Sequence, residues 1–304
     1  MALRLGSRGS ALALAQATYV RERLEGVGEE VEVITIRTSG DERPGGAAAP
    51  ENDDKARFVK EIEEALLREE IDLAVHSAKD VPSLLPDGLA IVGVPQRVDP
   101  RDALCGAASV DALAEGAVVG TASLRRRAQL LAVRPDLDVR EARGNVDTRL
   151  RRLAEGGYGA LVLAAAGLAR LGRQEGEPIS EETMTPAPGQ GCLALEARAE
   201  DTVATGLAAR LTDHDALVAL TAERALVEGL AATCHTPVGA HARLRGDRLV
   251  LDAFAGMPDG SEWIRDSATG DARDPAALGR AVTERMLAAG ARELLGAAER
   301  SVAR

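Results

Sequence analysis

The chain has 304 residues, 45% of them hydrophobic, with 37 basic against 48 acidic residues and a formal net charge of −11. That length exceeds one compact core and predicts a soluble globular protein of two or three domains, while the acidic balance argues against a nucleic-acid partner. No apolar run reaches bilayer length, Met1 to Gln16 lacks a signal-peptide layout, and three widely spaced cysteines (Cys105, Cys192, Cys234) predict reduced thiols, so a cytoplasmic protein without a membrane partner is expected.

The opening ALRLGSRGS reads as a short strand broken at Gly6. A helix follows over Ala11–Leu24, with Ser10 able to cap it, so Arg8 and Ser10 fall at a strand-to-helix turn suited to anions. Strand Val31–Thr38 alternates, and the Gly-, Pro-, Ala- and acid-rich stretch Ser39–Asp54 reads as a mobile surface loop. A helix from about Arg57 to Glu69 leads to the apolar strand around Leu73–Val75. This order predicts parallel pairing.

Residues 95–102 read as a polar connector to a second α/β series. That series comprises strand Ala117–Gly120, a helix from Ser123, strand Leu137–Val139, helix Val146–Glu155 and strand Ala160–Leu163. The turn GTASLRRR repeats the logic of LGSRGS, and two such halves imply a cleft between them. TPAPGQG (Thr185–Gly191) reads as a crossing segment back to the first half. A helix from His214 to Gly229, three alternating segments (Ala240–Leu244, Leu249–Phe254, Glu262–Asp266) and a last helix over about Pro275–Leu294 predict a small α+β third domain. The predicted boundaries are 1–96 with 190–210, 99–187, and 213–304.

Several residues are candidates for chemistry. In IDLAVHSAKDVP, Lys79 and Asp80 stand where a strand leaves the core, the place where open α/β sheets bind ligands. A surface ion pair is the alternative there. From Thr121 to Arg152 nine arginines meet four acids, a local +5 in a chain that is otherwise −16, while all three lysines (Lys55, Lys60, Lys79) fall within 25 residues. Guanidinium forks at such turns match carboxylates bidentately, whereas Arg127, Arg151 and Arg152 read as a solvated face. Cys234, in a turn beside His235, is either an inert thiol or a nucleophile. Cys105 and Cys192 read as buried and inert, and the four histidines show no metal-ligand spacing, so no metal is expected. From the residues alone, a two-domain binding protein for small anions and a thiol hydrolase remain open.

Read together, the segments GSRGSALALAQA, RFVKEIEEALL, DLAVHSAKDVP, DPRDAL, VVGTASLRRRAQL, ARGNVDTRL, LAAAGLARLG, PAPGQGCLALE and TAERALVEGLAATCHTPVGAHA closely resemble the porphobilinogen deaminase family, also called hydroxymethylbilane synthases, over essentially the whole chain. The resemblance implies an α/β protein. Two periplasmic-binding-protein-like (type II) domains would flank a central cleft, with a small α+β C-terminal domain. It implies a dipyrromethane cofactor in thioether linkage to Cys234. It also implies stepwise addition of four porphobilinogen molecules with loss of ammonia, then hydrolysis to hydroxymethylbilane, by a cytoplasmic monomer.

By the same resemblance Asp80 is the catalytic carboxylate that stabilises the azafulvene-like cation, with Lys79 beside it. Arg8, Ser10, Lys79, Asp80, Thr121, Ser123, Arg125, Arg126, Arg143 and Arg149 match cofactor-holding positions. Arg8, Arg143, Arg149, Arg170, Gln190, Lys55 and Phe58 match substrate-holding ones. Two departures stand out: an acidic ENDD ahead of Lys55 where the family often has glycine, and Ala78 where methionine is common.

Overall fold

The computed structural model describes residues 2–37, 56–233 and 236–302, and, among these, the backbone alone of 56–58. They form two compact units, Met1–Val98 with Cys192–Leu217 and Asp99–Gly191 with Val218–Arg304.

The first unit is built on one five-stranded sheet. Strands β1 (Leu3–Arg8), β2 (Val31–Ile36), β3 (Leu73–Ser77), β4 (Leu89–Gly93) and β10 (Leu193–Arg198) lie in the order β2-β1-β3-β10-β4. β1 pairs in parallel with β2 and β3, as the alternation of strand and helix predicted, and β10 runs antiparallel between β3 and β4. Both faces are covered. Helices α1 (Ala11–Glu25) and α6 (Thr202–Leu211) bury Ala17, Val20, Leu24, Ala204 and Leu207 against Leu5, Leu73 and Leu195 on one side. Helix α2 (Ala56–Leu67) packs Ile62, Ala65 and Leu66 on Ile71 and Ala74 on the other. Two-sided burial is why Leu73–Val75 reads as a continuous apolar run rather than an alternating one.

The second unit holds two sheets. The first contains β5 (Asp102–Cys105), β6 (Val118–Gly120), β7 (Asp138–Arg140), β8 (Ala160–Ala164) and β9 (Glu177–Pro178) in the order β7-β6-β8-β5-β9. β6 is parallel to β7 and β8, and β5 is antiparallel to β8 and β9. The two five-stranded sheets therefore share one plan: a strand with a parallel neighbour on each side (β1, β6), then an antiparallel strand (β10, β5) and an edge strand antiparallel to that (β4, β9). This is the two-halved α/β plan that the recurrence of LGSRGS and GTASLRRR predicted.

Helices α3 (Leu124–Val133), α4 (Val146–Ala154) and α5 (Ala165–Arg170) accompany this sheet. The remaining sheet is an antiparallel meander of β11 (Val238–Arg245), β12 (Arg248–Gly256) and β13 (Trp263–Asp271). Helices α7 (His214–Gly229), α8 (Pro275–Ala288) and α9 (Ala291–Val302) form a core with it around Leu226, Leu251, Val282 and Met286.

Two readings of the sequence need correction. The predicted last helix is two helices, because Gly290 adopts φ +93° between α8 and α9 and the apolar spacing simply resumes beyond it. The predicted connector over 95–102 ends in a strand, since Asp102 opens β5 and is fully buried.

Candidate functional site

In the first unit the candidates gather at two strand ends. β1 closes at Arg8, and Ser10 caps α1 by accepting a hydrogen bond from the Ala13 amide at 3.3 Å. The strand is not broken at Gly6 as the sequence suggested: β1 runs through it to Arg8, and glycine is there for packing, because a Cβ would run into the side chain of Ile71. β3 closes at Ser77 and passes into a single 3₁₀ turn, Ala78–Asp80, that carries Lys79 and Asp80. That turn is anchored twice. The Ala78 amide donates to the Cys192 carbonyl at 3.1 Å, and Gln16 Nε2 on α1 donates to Ser77 Oγ at 2.8 Å. Arg8, Ser10, Lys79 and Asp80 are all half-buried.

In the second unit the turn from β6 to α3 carries the next group. Ser123 caps α3, Thr121 is buried, and its Oγ1 accepts from the Ser123 amide at 3.2 Å. Gly120 is required here by packing: a Cβ would lie 2.5 Å from Leu161 Cδ2 and 2.8 Å from Tyr158 Cδ1.

Arg125 and Arg126, in the first turn of α3, are buried around the fully buried carboxylate of Asp102. Arg126 Nε donates to Asp102 Oδ1 at 2.8 Å and its Nη1 donates to the Val162 carbonyl at 2.9 Å. Arg125 Nη1 lies 2.8 Å from Asp102 Oδ2 but is off the hydrogen-bond line, and it donates instead to the Thr185 carbonyl at 2.7 Å. Burial alone would raise the Asp102 pKa, but the two guanidinium charges hold it well below the usual carboxylate range.

Arg149 differs from that pair. Its Nε donates to the Gly144 carbonyl at 2.7 Å, and no carboxylate among the described residues forms an ion pair with it. Burial and the nearby charge of Arg126 push its pKa down to about 10. Two guanidinium groups thus share one buried carboxylate while Arg149 near them has none among the described residues, an arrangement with positive charge to spare for an anion.

Arg143 is exposed and pairs with Glu141 at 2.7 Å, Arg170 donates to the Gly191 carbonyl at 2.8 Å, and Arg127, Arg151 and Arg152 are exposed, as their spacing predicted. Gln190 is buried, and its amide donates to the Pro100 carbonyl at 2.7 Å and to Asp102 at 3.0 Å. Cys105 and Cys192 are buried free thiols. Cys234, His235, Lys55 and the stretch Ser39–Asp54 lie outside the described residues, as does the side chain of Phe58.

Residues 3–205 match the family model for the porphobilinogen deaminase dipyromethane cofactor binding domain, and residues 217–288 match that for the porphobilinogen deaminase C-terminal domain. The chain belongs to the porphobilinogen deaminase family. Proteins named porphobilinogen deaminase from Thermus thermophilus and Deinococcus radiodurans are 48% and 46% identical to it. Each alignment covers 96% of this chain and 97% of the relative. A third, from a Roseiflexus species, is 48% identical at the same coverage. Among solved structures, the methionine binding protein MetQ aligns with a TM-score of 0.43 at 16% identity, covering 68% of this chain and 89% of MetQ.

Three buried polar residues around these sites were not singled out from the sequence. Asp102 ends a segment that reads as a polar connector. Glu223, fully buried on α7, accepts from the Gly189 and Ala242 amides, each at 2.7 Å. Gln129 grips Thr185 at both backbone groups, at 2.8 and 3.0 Å. For Asp102 the available signal was an acid immediately ahead of the apolar run ALC.

Proposed function

We infer that the protein is a hydroxymethylbilane synthase, a transferase of tetrapyrrole biosynthesis. It condenses four porphobilinogen molecules head to tail with loss of ammonia and releases the linear tetrapyrrole by hydrolysis. Its prosthetic group is a dipyrromethane. The observation that carries this reading is the excess of guanidinium over carboxylate around Asp102 in an otherwise acidic chain. Every ring of the substrate bears an acetate and a propionate, so a lengthening product demands such cations. The same excess fits the dipyrromethane, which bears the same carboxylates. When bound, that group supplies the free α-carbon to which the first substrate ring is joined.

The chain's own residues are assigned as follows. Cys234 carries the dipyrromethane through its sulfur. Thr121, Ser123, Arg125, Arg126 and Arg149 hold carboxylates at the start of α3 and beside α4, and Arg8, Ser10 and Lys79 do so at the strand ends of the first unit. Arg143 and Arg170 serve longer chains, together with Lys55 and Phe58. Gln190 contributes through the contact it makes with Asp102.

Asp80 serves the reacting centre. In each addition the C–N bond of the aminomethyl group breaks, the electron pair leaves with ammonia, and a cationic carbon remains. A carboxylate already oriented by its 3₁₀ turn stabilises that charge better than water, which would have to reorganise. The new C–C bond then forms, and the ring carbon that attacked loses its proton. Asp80 holds pyrrole N–H groups through these changes and passes that proton on. The protein acts as a cytoplasmic monomer, and among the described residues no helix is long and apolar enough to cross a membrane.

The test is stoichiometric. Purified protein given porphobilinogen should release four ammonia molecules for each linear tetrapyrrole. Saturable binding of porphobilinogen without ammonia release would mark an anion-binding protein instead.

A further inference from the structure

We infer that Asp102 is a positioning residue, a buried carboxylate that sets the directions of the Arg125 and Arg126 forks before any ligand arrives. This rests on the reading above, in which those forks hold ligand carboxylates.

Four contacts support it. Asp102 is fully buried at the first position of β5. Its Oδ1 receives Arg126 Nε at 2.8 Å, lies 2.8 Å from Arg126 Nη2, and also receives Gln190 Nε2 at 3.0 Å. Its Oδ2 faces Arg125 Nη1 at 2.8 Å. Gln190 is held in its turn by the Pro100 carbonyl at 2.7 Å, and Gly189 beside it donates to Glu223 at 2.7 Å. The carboxylate is therefore also held by a neutral donor that is itself anchored.

The consequence lies in donor arithmetic. A guanidinium has five N–H groups in one rigid plane. On Arg126 the Nε–H is committed to Asp102 and one Nη1–H to Val162, with Nη2 drawn to Asp102 as well. The plane is thereby locked, and the remaining N–H groups point in a fixed direction. Arg125 is locked by Asp102 and by Thr185, whose own backbone is clamped by Gln129. Two long flexible side chains thus enter binding with their freedom already spent, so less is lost when a carboxylate docks.

A simple neutralising role makes the opposite prediction. Asp102→Asn keeps the shape and adds one net positive charge, so a mere counter-charge, once removed, should leave anions bound more tightly. Positioning predicts weaker holding. Asp102→Glu keeps the charge but shifts the carboxylate by one methylene, and a charge-balancing role predicts that it behaves as wild type.

The experiment uses full-length wild type, Asp102→Asn and Asp102→Glu, with folding checked by near-ultraviolet circular dichroism. The readouts are the fraction of molecules carrying the dipyrromethane mass and the 15N signals of arginine Nε–H groups. Positioning predicts a wild-type Arg126 Nε–H protected from solvent exchange. It also predicts holo fractions lowered about tenfold in Asn and clearly lowered in Glu, since an ångström of misplacement can cost on the order of 10²-fold. Folded variants loaded like wild type, with the Arg126 signal unmoved, would overturn it. If neither variant folds, a wild-type Arg126 Nε–H exchanging as fast as that of an exposed arginine overturns it alone. Wild type without any dipyrromethane would instead sink the functional reading, while the Arg126 signal would still judge Asp102.

Discussion

His76 Nε2 lies 3.0 Å from Glu196 Oε2, an ion-pair distance off the hydrogen-bond line, with both side chains shut away from solvent inside the first sheet. His76 is on β3, one residue before the strand ends, and Glu196 is on the antiparallel strand β10 beside it. Glu63, buried on α2, feels both. Burial first and the Glu196 charge second raise its pKa to about 7, and His76 opposes them.

A stability slope follows from Glu63. Below about pH 4 the native and unfolded chains both hold its proton. Between the ordinary value of 4.5 and about 7 the unfolded chain ionises while the native chain does not, so this contribution is lost as pH rises through that window. The rise from 4.5 to about 7 corresponds to roughly 3.5 kcal/mol at about 1.4 kcal/mol per pKa unit. Glu63→Gln should flatten stability between pH 4.5 and 7 and raise it above pH 7, as read by urea denaturation. An unchanged pH profile would contradict the assignment.

Arg149 should divide stability from binding. Without a ligand it is a desolvated cation facing Arg126, so Arg149→Met should leave the apoprotein as stable or about 1 kcal/mol more stable. The same change removes a charge-assisted contact and should raise the porphobilinogen KM roughly tenfold, the worth of one such bond. Thermal melts of the apoprotein and steady-state kinetics check the two halves separately.

Asp80 is assigned to a charge that exists only after ammonia departs. Asp80→Asn should therefore lower kcat by about 10²–10³-fold, the usual cost of removing one oriented electrostatic group, with KM changed far less. A raised KM with normal kcat would make Asp80 a binding residue only.

The C-terminal core gives a packing test. An added Cβ at Gly279 on α8 would collide with the Ala222 carbonyl of α7 and lie 2.7 Å from Ala225 Cβ. Backbone cannot yield as a flexible side chain can, so Gly279→Ala should destabilise by about 1–3 kcal/mol in calorimetry.

Long periodic elements were legible in the sequence, and short two-sided ones were not. Helix α1 with its Ser10 cap, the parallel trio β1, β2 and β3, and the turn GTASLRRR all follow from spacing and cap chemistry. β5 did not, because four residues buried on both faces carry no alternation and begin with an acid. The break between α8 and α9 was hidden because apolar residues keep helical spacing across Gly290. Within the candidate site, the arginine-rich stretch from Thr121 to Arg152 was legible as a cation supply. Arg127, Arg151 and Arg152 were legible as its solvated face, but the burial of Arg125 and Arg126 was not. That burial depends on Asp102, 23 residues before Arg125 and brought to it only by the pairing of β5 with β8. Glu223 stayed obscure for the same reason, since its partners are backbone groups distant in sequence.

The central claim is that this polypeptide carries its own two-ring primer on one sulfur, and intact-protein mass spectrometry tests it most directly. Active wild type should weigh more than its 304-residue sequence by one dipyrromethane, and Cys234→Ser should weigh its sequence alone and be inactive. Active wild type at the bare sequence mass, or Cys234→Ser bearing the same addition, would contradict the account.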